Sequence, residues 1–216
     1  AEGTDQLSEI ETLSFGDNGA FNLANQVGIA SLSEAEIQTI VELYIAYFNR
    51  APDAEGLNFW GSAFANGVSL ENIASLILGD TETQQTYPAS LSNLDFATQV
   101  YNNVLGRDPD QGGLEFWVNA LDSGGVTRDQ FILEALRGAK VAAPEGATAE
   151  EIALRQGDVE YLSEKTDIGT YFALIRGLSD VGEADAVMQL FQRGDQGSIA
   201  EALLAADAAY SDALAA

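Results

Sequence analysis

The chain has 216 residues, and its 34 Asp and Glu against 9 Lys and Arg leave a formal net charge of −25. Histidine and cysteine are both absent, which removes imidazole and thiol ligands, nucleophiles and general bases, and with them Ser-His and Cys-His catalysis and disulfides. Charge of this size also opposes nucleic acid or an anionic membrane as a partner, because repulsion acts before any contact forms.

The amino-terminal residues, about 1–30, differ from the rest. Leu13-Ser14-Phe15 and Ala20-Phe21-Asn22-Leu23 alternate apolar and polar side chains around the turn-forming Gly16-Asp17-Asn18-Gly19, which predicts a short β-hairpin. Two strands alone are marginal in water, so this appendage needs the helical body, a longer sheet or another molecule to lie against. No basic segment followed by an apolar stretch opens the chain, so no amino-terminal signal peptide is expected. No apolar run approaches the roughly 18 residues of a membrane span.

From Ser33 the apolar period becomes helical. Ser33 and Glu36 form a capping box ahead of the stripe Ile37, Ile40, Val41, Tyr44, Ile45 and Phe48. Further helices are expected over about 53–66, 69–78, 93–105, 109–122 and 127–137, the last opened by Thr127 with Gln130. After a loop at Ala142–Gly146, Thr148 and Glu151 open another helix, and short helices near 166–176, 180–192 and 197–212 complete the chain. The fold class is therefore all-α. A helical domain over 31–216 contains repeat one at about 33–79, repeat two at about 92–138 and carboxyl-terminal helices at about 148–212.

The repeat is the strongest signal. Tyr44, Arg50, Pro52, Asp53, Gly56, Leu57, Phe59 and Trp60 stand opposite Tyr101, Arg107, Pro109, Asp110, Gly113, Leu114, Phe116 and Trp117, all at one spacing. One inserted residue near Gly124 or Gly125 then brings Val68-Ser69 opposite Val126-Thr127. So many identities at one offset mark a duplicated helix–loop–helix–turn–helix unit. Each proline suits a first helical turn, and each aspartate suits the positive end of the helix dipole. Arg50 and Arg107 are expected to bond Asp53 and Asp110, while Gly56 and Gly113 permit close approach and Trp60 and Trp117 pack the core.

The run Leu105-Gly106-Arg107-Asp108-Pro109-Asp110 with Gly113-Leu114 and Phe116-Trp117 resembles a bacterial helical domain family of unknown function related to the phycobilisome linker domain. Tyr161-Leu162, Lys165-Thr166, Gly169, Tyr171-Phe172-Ala173 and Gly177-Leu178-Ser179-Asp180 resemble the carboxyl-terminal part of that family. The first copy departs from the pattern, with Phe48-Asn49 where Leu105-Gly106 stands in the second. Separately, Gly3 to Glu11 followed by Leu13, Phe15 and Asp17 resembles the flank of calcium-binding glycine-rich, RTX-type repeats, although the repeats themselves are missing. These resemblances imply a secreted or cell-surface protein exported by a type I pathway, with the Ala-rich end through Tyr210 and Leu214 as its signal. They place the helical domain among surface-layer proteins, adhesins and multidomain exported enzymes, as an interaction unit.

Calcium is the cofactor to weigh, with Asp108, Asp110 and Glu115 around Gly112-Gly113 and Asp17-Asn18 in a tight turn. An EF-hand template fails, because its twelfth position from Asp108 is Asn119 and its fifth is Gly112. A helix cap is the simpler reading of these acids, and a transition-metal site is not expected. No P-loop or dinucleotide fingerprint appears, which excludes a nucleotide cofactor by motif. A glycoside hydrolase needs only two carboxylates, but among 34 acids no spacing selects a pair. The expected function is thus a non-catalytic extracellular assembly module, self-associating with calcium assistance as a surface layer, filament or matrix. The alternative is a carbohydrate-binding or adhesive domain, with Tyr or Trp stacking on glycans.

Overall fold

Helices begin in this chain where a side chain is at hand to bond their unpaired first amides. The computed structural model describes residues 28–215 and, before them, only the backbone of Thr12–Ser14 and Ala20–Asn22, which pair antiparallel with Leu13 opposite Phe21. The hairpin expected there, with its turn at Gly16–Gly19, lies as a unit outside the described residues. Helix α1 (Glu34–Phe48) opens on the Ser33–Glu36 capping box. Asp53 and Ser69 cap α2 (Ala54–Ala65) and α3 (Leu70–Leu78). The second copy follows the same plan: Ser92 caps α5 (Asn93–Leu105), Asp110 caps α6 (Gln111–Asp122), and the Thr127 amide donates to Gln130 ahead of α7 (Arg128–Ala139).

Two departures from the sequence expectation have clear causes. Between the copies lies a short helix, α4 (Thr81–Thr86), whose six residues Thr-Glu-Thr-Gln-Gln-Thr carry no apolar period; it forms on the Asp80 cap. The helix begun at Thr148 also does not stop before position 166. It runs unbroken as α8 (Ala149–Thr170) and widens into a π-helical turn over Tyr171–Ile175. No proline interrupts it, and its two glycines answer to packing. A Cβ on Gly157 would press on Arg193, and one on Gly169 would lie 2.8 Å from Val41 Cγ1 and 3.2 Å from Pro52 Cδ. Helices α9 (Val181–Leu190) and α10 (Gln196–Ala215) complete the fold.

The two copies pack on each other, α1 against α5 and α3 against α7, and α8 lies across α1, α5 and α7 with α9 and α10 behind it. Tyr47, Phe96, Phe131 and Phe172 are fully buried among aliphatic side chains. A chain of rings, Tyr87–Phe96–Phe131–Trp117, carries this core toward the surface of the second copy at centroid spacings of 5.1, 5.8 and 5.2 Å. No helix among the described residues is long and apolar enough to cross a membrane.

Candidate functional site

The duplicated motif folds first as a helix start. Asp53 and Asp110 each accept the amide three residues on, from Gly56 at 2.7 Å and Gly113 at 2.8 Å. Because these aspartates are the N-caps, Pro52 and Pro109 stand just before the cap and not in the first turn as expected. The capping bonds also turn the carboxylates toward their own helices, and the arginines find their main partners elsewhere. Arg50 grips the Glu82 carboxylate of α4 through Nε and Nη2 at 2.9–3.1 Å, with Asp53 only at 3.7 Å. Arg107 grips Asp158 of α8 through two bonds of 2.8 Å and makes no bond to Asp110. The expected Arg–Asp tie thus persists in the first copy as the longer Arg50–Asp53 ion pair and is missing in the second, and each arginine makes its bidentate bonds to a different helix.

A charge reversal accounts for the change of partner. With the one-residue insertion counted, the position of Glu82 in the first copy is Lys140 in the second. A lysine there cannot receive Arg107, and it reaches instead to Glu42 of α1 at 2.7 Å. Asp158, 1% exposed, then lies between Arg107 and Arg193, with Arg193 at 2.9 Å. Hydrogen bonding to Asp158 holds the Arg107 guanidinium above its ordinary pKa. Arg193 also donates to the Leu105 carbonyl and so fastens the end of α5.

The same scaffold is filled in one copy and open in the other. In the first, Tyr44 is buried, and Arg50, 4% exposed, stacks over the rings of Tyr44 and Phe48 at 5.3 and 5.2 Å. In the second, Tyr101, Arg107, Asp110, Trp117, Glu134 and Arg155 surround a cleft of about 190 Å³. Leu105, Ala135 and Gly138 also line it. Their first-copy counterparts are Phe48, Ile77 and Asp80, each of them larger. Burial, and then the charge of Asp110, raise the pKa of the Tyr101 phenol, while a hydrogen bond from Trp117 works the other way. The phenol therefore stays a neutral donor and acceptor at the cleft wall.

Both indoles are half-buried and rest on the core, Trp117 edge-on to Phe131. The phenylalanine before each indole points outward: Phe59 is 65% and Phe116 64% exposed, each roughly perpendicular to its tryptophan. Sequence reading missed how the scarce cations are used. Lys165 is fully buried, donates to Asn49 Oδ1 and to the Asn103 carbonyl, and so joins the carboxyl-terminal ends of α1 and α5. Asn49 and Gly106, where the copies differ, are both left-handed C-caps; Asn49 adds the oxygen that Lys165 needs, and Gly106 leaves room for the Tyr161 ring. Among the described residues Arg155 is the least tethered cation, exposed and held by one 3.4 Å bond to the Gly138 carbonyl.

The carboxylates weighed for calcium do not converge. Asp110 is occupied with its helix, Glu115 accepts from Gln111 at 2.8 Å, and Asp108 is exposed. No group of three acidic side chains that could hold an ion occurs among the described residues; Asp17 and Asn18 lie outside them. No curated protein and no solved structure matches the chain. Residues 74–140 match the family model described as a domain of unknown function (DUF4214), a stretch that contains every lining residue of the cleft except Arg155.

Proposed function

We propose that the chain is a non-catalytic, extracellular or cell-surface assembly module that joins copies of itself or other surface proteins. The observation that carries this reading is the pair Phe59 and Phe116. The duplication keeps a large apolar side chain at an outward position in both copies, although neither serves the core. Strand addition at the amino-terminal hairpin offers a second joint. Calcium, acting as counterion to a charge of −25, would lower the repulsion between subunits. The likeness of the amino-terminal segment to the flank of RTX-type repeats and of the body to a linker-related helical family supports secretion by a type I route and a role in assembly. Catalysis finds little support. Asp110 and Glu134 line one cleft, but the first caps α6 and the second pairs with Arg137, whereas a glycosidase needs a carboxyl kept free as its acid.

Light scattering in calcium and in chelator tests this reading. A mass above the monomer in calcium that falls with Phe59→Ser/Phe116→Ser supports it, and a monomer in both conditions overturns it. A second reading, a glycan-binding or adhesive domain, is favoured by the cleft of the second copy, where Trp117 and Tyr101 meet polar groups of both signs.

A further inference from the structure

We infer that the two copies have divided their labour: the first is scaffold, and the second holds a single neutral pyranose unit of a glycan in its cleft. The proposal rests on the glycan reading and assigns it a place and a ligand class.

The internal comparison carries the argument. Tyr, Arg, Asp and Trp stand at matched positions in both copies. In the first they close a packed unit, with Tyr44 and Arg50 buried and Arg50 stacked on Tyr44 and Phe48. In the second the same four residues line a cleft, because smaller side chains stand at its walls. Leu105 replaces Phe48, Ala135 replaces Ile77, and Gly138 replaces Asp80. Phe48 and Ile77 are apolar packing groups, so an opening left by simple decay of that core would be mostly apolar; Asp80, the third, is the exposed cap of α4. This one keeps a polar rim and adds Arg155, whose guanidinium has little else to do.

The rim sets the ligand class. Arg107 is already paired with Asp158 and Glu134 with Arg137, which leaves Arg155 and Asp110 as opposite charges at the rim, so neither an anion nor a cation is selected by net charge. The Arg155 guanidinium donors, the Asp110 Oδ2 left outside the helix cap and the neutral Tyr101 hydroxyl together match vicinal hydroxyls, which both donate and accept. The half-buried Trp117 indole offers an apolar flank for the C–H face of a sugar ring. A volume of about 190 Å³ lies below the roughly 300–1,000 Å³ of drug-sized sites, which limits the occupant to about one ring.

The test uses the full 216-residue chain. Methyl glucopyranoside, galactopyranoside and mannopyranoside, with glucuronate and glucosamine as charged counterparts, are titrated while Trp fluorescence and NMR shifts are followed. A glycan array runs in parallel. Ala135→Ile/Gly138→Asp rebuilds the first-copy walls in the second copy, and Arg155→Ala removes a rim donor; circular dichroism checks that each variant folds. The proposal predicts binding of at least one neutral methyl glycoside in preference to both charged sugars. It also predicts about tenfold weaker binding in the refilled variant and a smaller loss in Arg155→Ala. Glycan binding that survives the refilled cleft keeps the glycan reading and overturns the assignment to this site. Preference for glucuronate or glucosamine overturns the ligand class. No binding on the array or in titration overturns both.

Discussion

Single residues decide how the parts are held. Lys165 is the clearest case, an ammonium with no carboxylate partner among the described residues, set among oxygen acceptors where two helix ends meet. Burial pushes its pKa down to about 7, while the unfolded chain keeps its lysines protonated to about 10.4. Between these values the unfolded state binds the extra proton, so stability rises with pH from about 7 to 10 and gains nothing from this group below 7. Carboxylates are already ionised across that window. Burial raises the phenols of Tyr44, Tyr47 and Tyr87 above their ordinary range, so above about pH 10 the unfolded state loses protons first and the trend reverses. Urea unfolding at pH 7, 8.5 and 10 should show a rise of up to about 4 kcal/mol, and Lys165→Met should flatten it. In the sequence this residue stands out through its place in the family resemblance and through scarcity, as one of nine cations among 216 residues. Its Asn49 and Asn103 partners lie 116 and 62 residues away, beyond what local pattern can reveal.

At the scale of elements, the repeat and its helices were legible because apolar period, caps and matched identities all agree there. Two features were not. Helix α4 is polar throughout, and its Asp80 cap, the bonds that Arg50 donates to Glu82 and the burial of Thr83 explain it. The unbroken course of α8 carries little local signal because glycine is a poor helix former, and Gly157 and Gly169 are kept there by close approaches from other parts of the fold. Gly169 is where α8 meets α1 and the loop before α2. Gly169→Val should therefore cost about 1–3 kcal/mol by overpacking, measured by urea denaturation, although valine is the better helix former of the two. A loss near zero would mean that α8 does not press on Val41 and Pro52. The candidate cleft was legible in its residue types, since Arg107, Asp110 and Trp117 belong to the motif. Its openness was not, because that depends on Ala135 and Gly138, which carry no signal of their own.

For the whole molecule, duplication supplies the frame and divergence gives each copy its task. The cations mostly work inside the body: Arg50 ties α1 to α4, Arg107 and Arg193 hold α8, Lys140 links the copies, and Arg176 bonds Asp207 of α10. The surface is left strongly anionic, and any association between copies must work against that charge. The central claim is that one copy is packed solid while its twin is open, and paired glycine substitutions test it most directly. A Cβ on Gly56 would run into the buried Tyr44 hydroxyl, whereas on Gly113 the nearest groups are the Asp110 carboxylate at 3.1 Å and the Tyr101 hydroxyl at 3.3 Å. Ordinary helix propensity favours alanine by about 1 kcal/mol at both positions. Urea denaturation of Gly56→Ala should show a loss of about 1–3 kcal/mol, with Gly113→Ala within about 1 kcal/mol of the parent. Equal losses in the two variants would contradict the division between a closed copy and an open one.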